Sequence, residues 1–148
     1  LLVAAAAGRA TMVKRLLAFS ADPLATNSAG DNAFCIAVRR GHADVCDLVL
    51  FGARADAPDP ETGLAPLHLA CAGDHLEILR LLASRPEVNL RARTGEGDGR
   101  RTALHIAAAA GAEQCIGFLL EFEMSADAAD GRGRTPLVAA LLGGHEAA

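Results

Sequence analysis

The sequence contains no tryptophan and no tyrosine, and aromatic residues make up only 3% of its 148 positions. This shortage argues against a core built around large rings and against a recognition surface that works by aromatic stacking. Hydrophobic residues nevertheless make up 51% of the chain, which excludes a disordered tail. Because these residues are mostly alanine and leucine, the composition favours many thin, closely packed helices.

Lysine is nearly absent as well, since Lys14 is the only one and every other basic residue is arginine. Arginine suits bidentate contact with carboxylates, although a coding bias toward alanine, glycine and arginine is an alternative explanation. The formal net charge is −4, whereas a nucleic-acid-binding protein usually carries a strongly basic face. We therefore expect no nucleic acid among the partners.

Long hydrophobic runs and closely paired cysteines are also missing. Apolar stretches such as Leu1–Ala7 are far too short to span a bilayer, and no secretory leader is present. None of the four cysteines forms a C-x-x-C pair, which removes zinc-ribbon and redox-motif interpretations. We expect an intracellular protein, cytoplasmic or nuclear, with reduced thiols and no membrane contact.

No motif that carries catalysis occurs in the chain. The sequence lacks a G-x-S-x-G turn, a Walker A loop, an H-E-x-x-H motif and a dinucleotide fingerprint. Asp56, Asp59 and Glu61 could indicate calcium, but their spacing does not match an EF-hand loop, so a solvated acidic turn is the better interpretation. We predict no catalytic residue, no cofactor, no metal and no small-molecule substrate.

The chain does contain a repeated segment with a period near 33 residues. The segments that begin at Asn32, Ala65, Thr102 and Thr135 align, and their starts are 33, 37 and 33 residues apart. One more step back reaches the first residue, so five copies are expected, the first and last incomplete. Periods of this length are typical of solenoids, in which each unit buries its apolar face only against its neighbours.

These copies resemble the ankyrin repeat, whose signature includes Thr-Pro-Leu-His-x-Ala, then Gly-His, then Leu-Leu. The hexapeptides at 65–70, 102–107 and 135–140 read APLHLA, TALHIA and TPLVAA. The resemblance covers all 148 residues and implies an all-α solenoid of stacked helix-turn-helix units with projecting β-hairpin loops. We expect a partial repeat at about 1–29, repeats at 30–62, 63–99 and 100–132, and a partial repeat at 133–148.

Local signals agree with short helices. Thr135 is a good N-cap and Pro136 fits the first turn, which predicts a helix over about residues 136–143. Two positions depart from the family pattern, because Ala65 lacks a capping oxygen and Asp74 replaces a helix-ending glycine. Other glycines stand where helices end or hairpins turn and should take positive φ. They are Gly30, Gly41, Gly63, Gly111, Gly133 and Gly144.

The histidines and cysteines recur at fixed phases of the repeat, which indicates packing. The resemblance implies that the histidines bond backbone groups and join neighbouring repeats. They are His68 and His105 in the Thr-Pro-Leu-His slot, and His42, His75 and His145 in the Gly-His slot. The cysteines read as small core residues. Cys35, just ahead of two arginines, is the one to check for a reactive thiol.

The resemblance also implies that partners meet the hairpin tips and the first helices, on the concave face of the solenoid. The expected floor there is small, so a partner's backbone could approach closely, and arginines flank it. The predicted partner-binding residues are Arg39, Arg40, Leu64, Ala72, Asp98, Arg101, Ala109, Arg132 and Arg134, and Arg91, Arg93 and Arg100 add to the second arginine group. An acidic peptide clamped by charge-assisted bonds is the resulting hypothesis, and solubilising surface charge is the alternative.

Residues 93–101 include four extra residues between the third and fourth copies. A glycine-rich insert at a hairpin tip is most often a tolerated extension, and a binding loop is the sharper alternative. For the chain as a whole, the sequence predicts a non-enzymatic protein-interaction module, an adaptor or scaffold, cut from a longer array. The alternative is a substrate-recruiting or regulatory segment of a larger enzyme, such as a ubiquitin ligase subunit or a kinase, or of a channel.

Overall fold

The computed structural model describes residues 1–50 and 54–144, and within these ranges nine α-helices follow one another. They are α1 (Leu2–Ala6), α2 (Ala10–Ala18), α3 (Ala33–Arg40), α4 (Ala43–Val49), α5 (Pro66–Ala72), α6 (Leu76–Ala83), α7 (Ala103–Ala110), α8 (Glu113–Glu121) and α9 (Pro136–Leu142). The starts of α3, α5, α7 and α9 repeat the spacing of 33, 37 and 33 residues. The predicted all-α solenoid is confirmed.

The helices pack in two layers. We call α1, α3, α5, α7 and α9 the inner helices, and each packs on the next one along the chain. The outer helices α2, α4, α6 and α8 do the same, and each also packs on the inner helix that precedes it. One apolar core runs between the layers, and Phe34, Leu79 and Leu119 are among its largest fully buried side chains. The main contacts therefore join sequence neighbours, as a solenoid requires.

The inner helices begin and end at the residues that the repeat pattern supplies. Asn32 caps α3, since its side-chain oxygen accepts a hydrogen bond of 2.9 Å from the backbone N–H of Cys35. Thr135 caps α9, and Pro136 occupies the first turn. This helix ends at Leu142, one residue before the predicted end. The six glycines expected at positive φ all have it. At the end of α3, for example, Gly41 has a φ of 75°.

The loops between an outer helix and the next inner helix project as four fingers. We call them the first (residues 20–32), second (described residues 54–65), third (84–102) and fourth finger (122–135). Each is closed by a backbone hydrogen bond of 2.8–3.0 Å, as between Asn27 N and Asp31 O in the first finger. In the described ranges the only β-bridge joins Arg93 and Thr102. The predicted hairpins are thus mostly tight turns.

Asp74 compensates for its departure from glycine. It takes a φ of 53°, in the left-handed region that the turn requires. Its Oδ1 accepts a hydrogen bond of 3.0 Å from the backbone N–H of Cys115 in the first turn of α8. The carboxylate therefore caps an outer helix of the neighbouring repeat.

The histidines join neighbouring repeats, as the resemblance implied. Nε2 of His42 donates to the carbonyl oxygen of Ala6 at 3.3 Å, and Nε2 of His105 donates to that of Arg134 at 2.8 Å. The ring of His75 lies against Gly41 and Gly73, so neither glycine has room for a β-carbon. His145 lies outside the described residues.

The start of α5 is less well satisfied than the start of α7. In α7, the hydroxyl of Thr102 donates to Nδ1 of His105 at 2.8 Å and accepts from the backbone N–H of the same histidine. In α5 the matching residue is Ala65, and Nδ1 of the buried His68 has no hydrogen-bond partner among the described residues. Nε2 of His68 still donates to Ala92 O at 3.2 Å. Burial lowers the pKa of His68, which keeps the ring neutral.

A threonine at position 65 should repair this helix start. In Ala65→Thr, the new hydroxyl can donate to Nδ1 of His68 and accept from its backbone N–H, as Thr102 does for His105. We expect the free energy of unfolding, measured by urea denaturation, to rise by about 1 kcal/mol. Ala65→Val is the matched control, because it has the same shape without the hydroxyl. An equal gain in both variants would contradict the hydrogen-bond explanation.

Candidate protein-binding surface

The predicted floor of the surface is built by the last turns of the inner helices. Ala72 and Ala109 lie at the ends of α5 and α7, next to Gly73 and Ala110. Ala72, Gly73 and Ala110 are exposed, and Ala109 is half-buried. The floor therefore presents little more than backbone and methyl groups to solvent. Leu64, also half-buried, precedes α5 on the second finger.

Arg39 is engaged within the molecule. Its guanidinium forms ion pairs with Asp31 at 2.6 Å, with Asp59 at 3.4 Å, and with Glu61. These carboxylates belong to the first and second fingers, so the arginine joins two neighbouring loops. Burial alone would raise the pKa of Asp31, but hydrogen bonds from Arg39 and Asn27 outweigh it and hold this pKa below its usual value. Its neighbour Arg40 is exposed and has no ion pair in the described ranges.

The interpretation of Asp56, Asp59 and Glu61 as a solvated acidic turn is wrong for Asp59. Its side chain is fully buried. Oδ2 accepts hydrogen bonds from the backbone N–H of Thr62 at 3.0 Å and from its hydroxyl at 2.8 Å. An aspartate at the start of a tight turn stabilises it in this way. Glu61 and Asp56 are exposed, as expected.

Two arginines of the other predicted group are also paired. Arg101 contacts the Asp98 carboxylate, and Arg134 lies 2.7 Å from that of Asp130. Burial would raise the pKa of Asp130, yet backbone N–H groups of Arg134 and Arg132 and the Arg134 guanidinium together lower it. Arg39, Arg101 and Arg134 therefore hold the fingers in shape.

Four exposed arginines of the third and fourth fingers form no ion pair with any described carboxylate. We call Arg91, Arg93, Arg100 and Arg132 the guanidinium cluster. Contacts between the two fingers bring them together: Gly131 N donates to Gly99 O at 2.7 Å, and Nη1 of Arg93 donates to Ala129 O at 2.8 Å and to Arg100 O at 3.0 Å. The surface thus keeps its free positive charge where these fingers meet.

A groove of about 270 Å³ lies between the same two fingers. Its lining includes the cluster members Arg91 and Arg93, the buried Met124, and Ser125. Glu123 also lines it, so two guanidiniums face one carboxylate. The groove has room for one side chain of a partner, with an apolar base and a positively charged rim.

The cysteines confirm the core interpretation. All four are buried free thiols. Burial raises the pKa of Cys35, and burial raises the pKa of Cys46 to about 12. Cys35 therefore lacks the thiolate character that a reactive cysteine needs.

Two searches of the described residues return nothing. No group of three or more histidine, cysteine, aspartate or glutamate side chains in residues 1–50 and 54–144 is arranged to hold a metal ion. In the same ranges, no helix is both long and apolar enough to cross a membrane.

Removing the Arg39 side-chain charge should destabilise the fold. Arg39→Met leaves the buried carboxylates of Asp31 and Asp59 without their cation. We expect a loss of about 2 kcal/mol at neutral pH, less than for a fully buried pair because about a fifth of Arg39 stays in solvent. Urea denaturation measures the loss. Arg40→Met is the control, and we expect it to stay within about 0.5 kcal/mol of the wild type.

The loss should also depend on pH. The pKa of Asp31 lies below its usual value of 3.8 in the folded protein, so its ion pair stabilises the fold above that pH. The stabilisation disappears as the pH falls through the folded-state pKa. The difference between wild type and Arg39→Met should therefore shrink at pH 3. A difference that stays constant down to pH 3 would mean that the methionine acts through packing.

Comparison with known proteins agrees with this architecture. The family model described as ankyrin repeats (3 copies) matches residues 1–94 and again residues 90–148. Among curated proteins, the chain is similar to the E3 ubiquitin-protein ligase XBAT33 of Arabidopsis thaliana, with 31% identity over 149 aligned positions. The alignment covers 84% of this chain and 29% of that relative, so the chain spans less than a third of the relative's length. Because the family model covers the sequence from end to end, the chain belongs to the ankyrin-repeat family.

Proposed function

We propose that this chain is a non-enzymatic interaction module that binds an acidic segment of a protein partner at its third and fourth fingers. Ankyrin repeats mark a protein-interaction module. The observation that supports the acidic partner is the guanidinium cluster, whose four exposed side chains have no carboxylate partner among the described residues. Arginine pairs with carboxylates through two parallel hydrogen bonds, which gives both energy and orientation.

The charges of the first and second fingers argue against binding such a segment there. Arg39 faces three carboxylates in Asp31, Asp59 and Glu61. This group therefore carries a net negative charge and would repel an acidic chain. The sequence hypothesis placed arginines on both sides of the floor. The ion pairs restrict the proposed contacts to the third and fourth fingers, with Arg132 kept from the original set.

The small floor extends the proposed surface. Ala109 and the exposed Ala110 end α7, immediately before the turn into the fourth repeat's outer helix. A partner whose acidic side chains meet the fingers can lay its backbone on these short side chains without steric conflict. Ala72 and Gly73 continue the floor on α5.

The likeness to an E3 ubiquitin-protein ligase supports a second candidate function. In a larger ligase, the array would recruit a substrate by the same acidic segment. This candidate requires a ligase domain elsewhere in the same polypeptide. The sequence of the complete transcript tests it, and a transcript without such a domain would exclude it.

Peptide selection tests the acidic-segment proposal directly. Selection of a phage-displayed random peptide library on the 148-residue chain should enrich peptides rich in aspartate and glutamate. Reversing three charges, in Arg91→Glu/Arg100→Glu/Arg132→Glu, should weaken the selected peptides at least about tenfold, or 1.4 kcal/mol. Arg93 is left unchanged because it also holds the fourth finger.

The matched control makes the same change in net charge elsewhere. Arg9→Glu/Lys14→Glu/Arg15→Glu alters three exposed cations on and just before α2. This variant should keep most of the affinity. Selected peptides no more acidic than the starting library, or equal losses in both variants, would refute the proposal.

A further inference from the structure

The four extra residues of the third finger form an ordered segment. A 3-10 turn spans Glu96–Asp98, and Gly99 ends it with a φ of 80°. At the base, the backbone N–H of Thr94 donates to Arg101 O at 2.8 Å. The hydroxyl of Thr94 accepts from Arg101 N, also at 2.8 Å. The insert therefore has a defined shape.

The insert also touches the next finger. Gly131 N donates to Gly99 O, and this is the one backbone hydrogen bond between neighbouring fingers in the described parts of the chain. Arg93, at the base of the insert, donates to Ala129 O on the same neighbour. We call these two contacts the clasp. A loop that was merely tolerated would need neither.

We propose that the clasp makes the insert a specificity element, one that holds the guanidinium cluster in the spacing of two anionic side chains on a single protein segment. The inference rests on the proposed function and adds the geometry of the partner. Glutamate, aspartate and phosphorylated serine or threonine all supply the required anionic oxygens.

The clasp places two cluster members on adjoining tips. Arg100 and Arg132 each follow a glycine of the Gly99–Gly131 hydrogen bond. The β-carbon of Arg100 lies 3.6 Å from where a β-carbon on Gly131 would be. In an extended segment, side chains on one face are two residues apart, or about 6.6 Å. A pair of anionic residues with one residue between them therefore fits two neighbouring guanidiniums.

Deleting the insert separates geometry from plain charge attraction. Removing residues 96–99 deletes the 3-10 turn and the carbonyl of Gly99, and with them the backbone half of the clasp. It also removes Glu96 and Asp98 and frees Arg101 from its carboxylate. Charge attraction alone would then bind an acidic peptide more tightly. The clasp predicts the opposite for the correctly spaced peptide. Glu96→Gln is the control that changes charge with the insert in place.

The probes are short peptides with two glutamates, or two phosphoserines, separated by zero to four alanines. Fluorescence anisotropy on the 148-residue chain should give the tightest binding at one intervening residue in at least one series. The series with the stronger preference identifies carboxylate or phosphoryl as the ligand. The deletion should weaken that peptide at least about tenfold, while Glu96→Gln should preserve the preference.

A second variant guards against misfolding of the deletion. In Gly131→Ala, the new β-carbon comes within 3.0 Å of Gly99 O and loosens the clasp without changing length or charge. With an unchanged thermal melting curve, it should broaden the spacing preference. Binding without any spacing preference, or a preference that survives both the deletion and Gly131→Ala, overturns this inference and leaves the acidic-segment proposal standing. No binding to any acidic peptide overturns both.

Discussion

The stacking of each short helix on its neighbours is the constraint on which the rest of the structure depends. The described helices have five to nine residues, too few to be stable alone in water. Each buries its apolar face only because the next repeat covers it. Alanine allows the inner helices to approach closely, and leucine and valine fill the space between the layers. A core of this kind has little use for large rings, which explains the shortage of aromatic residues.

Stacking also fixes the loops. The fingers contain few apolar residues, so hydrogen bonds from the inner helices must hold them. His68 and His105 each donate to a finger carbonyl, of Ala92 and Arg134 respectively. Because these imidazoles are buried and part of the helical layer, the fingers are carried at a defined position on it. Charged side chains on the fingers therefore face fixed neighbours, and their pairing becomes a property of the fold.

This pairing gives the row of fingers an electrostatic direction. Around Arg39, carboxylates exceed the available positive charge, and Asp59 is buried among them. Where the third and fourth fingers meet, the excess is positive. A partner with a matching charge pattern would have one favoured orientation along the row. The insert increases this selectivity in our proposal, because it ties the two positively charged fingers to each other.

The sequence by itself determined the architecture, since the signals for it are local and repeated. The helix starts, the turn glycines and the histidine slots follow from residue type and period, and they identified the family as well. Which charges are free was decided only by the tertiary structure. Arg39 and Arg40 are adjacent and look alike in the sequence, yet Arg39 pairs with Glu61, 22 residues away, while Arg40 faces solvent. Asp74 shows the same limit, because the helix end that it caps lies 41 residues further on. Ion pairs and caps between repeats depend on distances in space, and a one-dimensional pattern does not contain those distances.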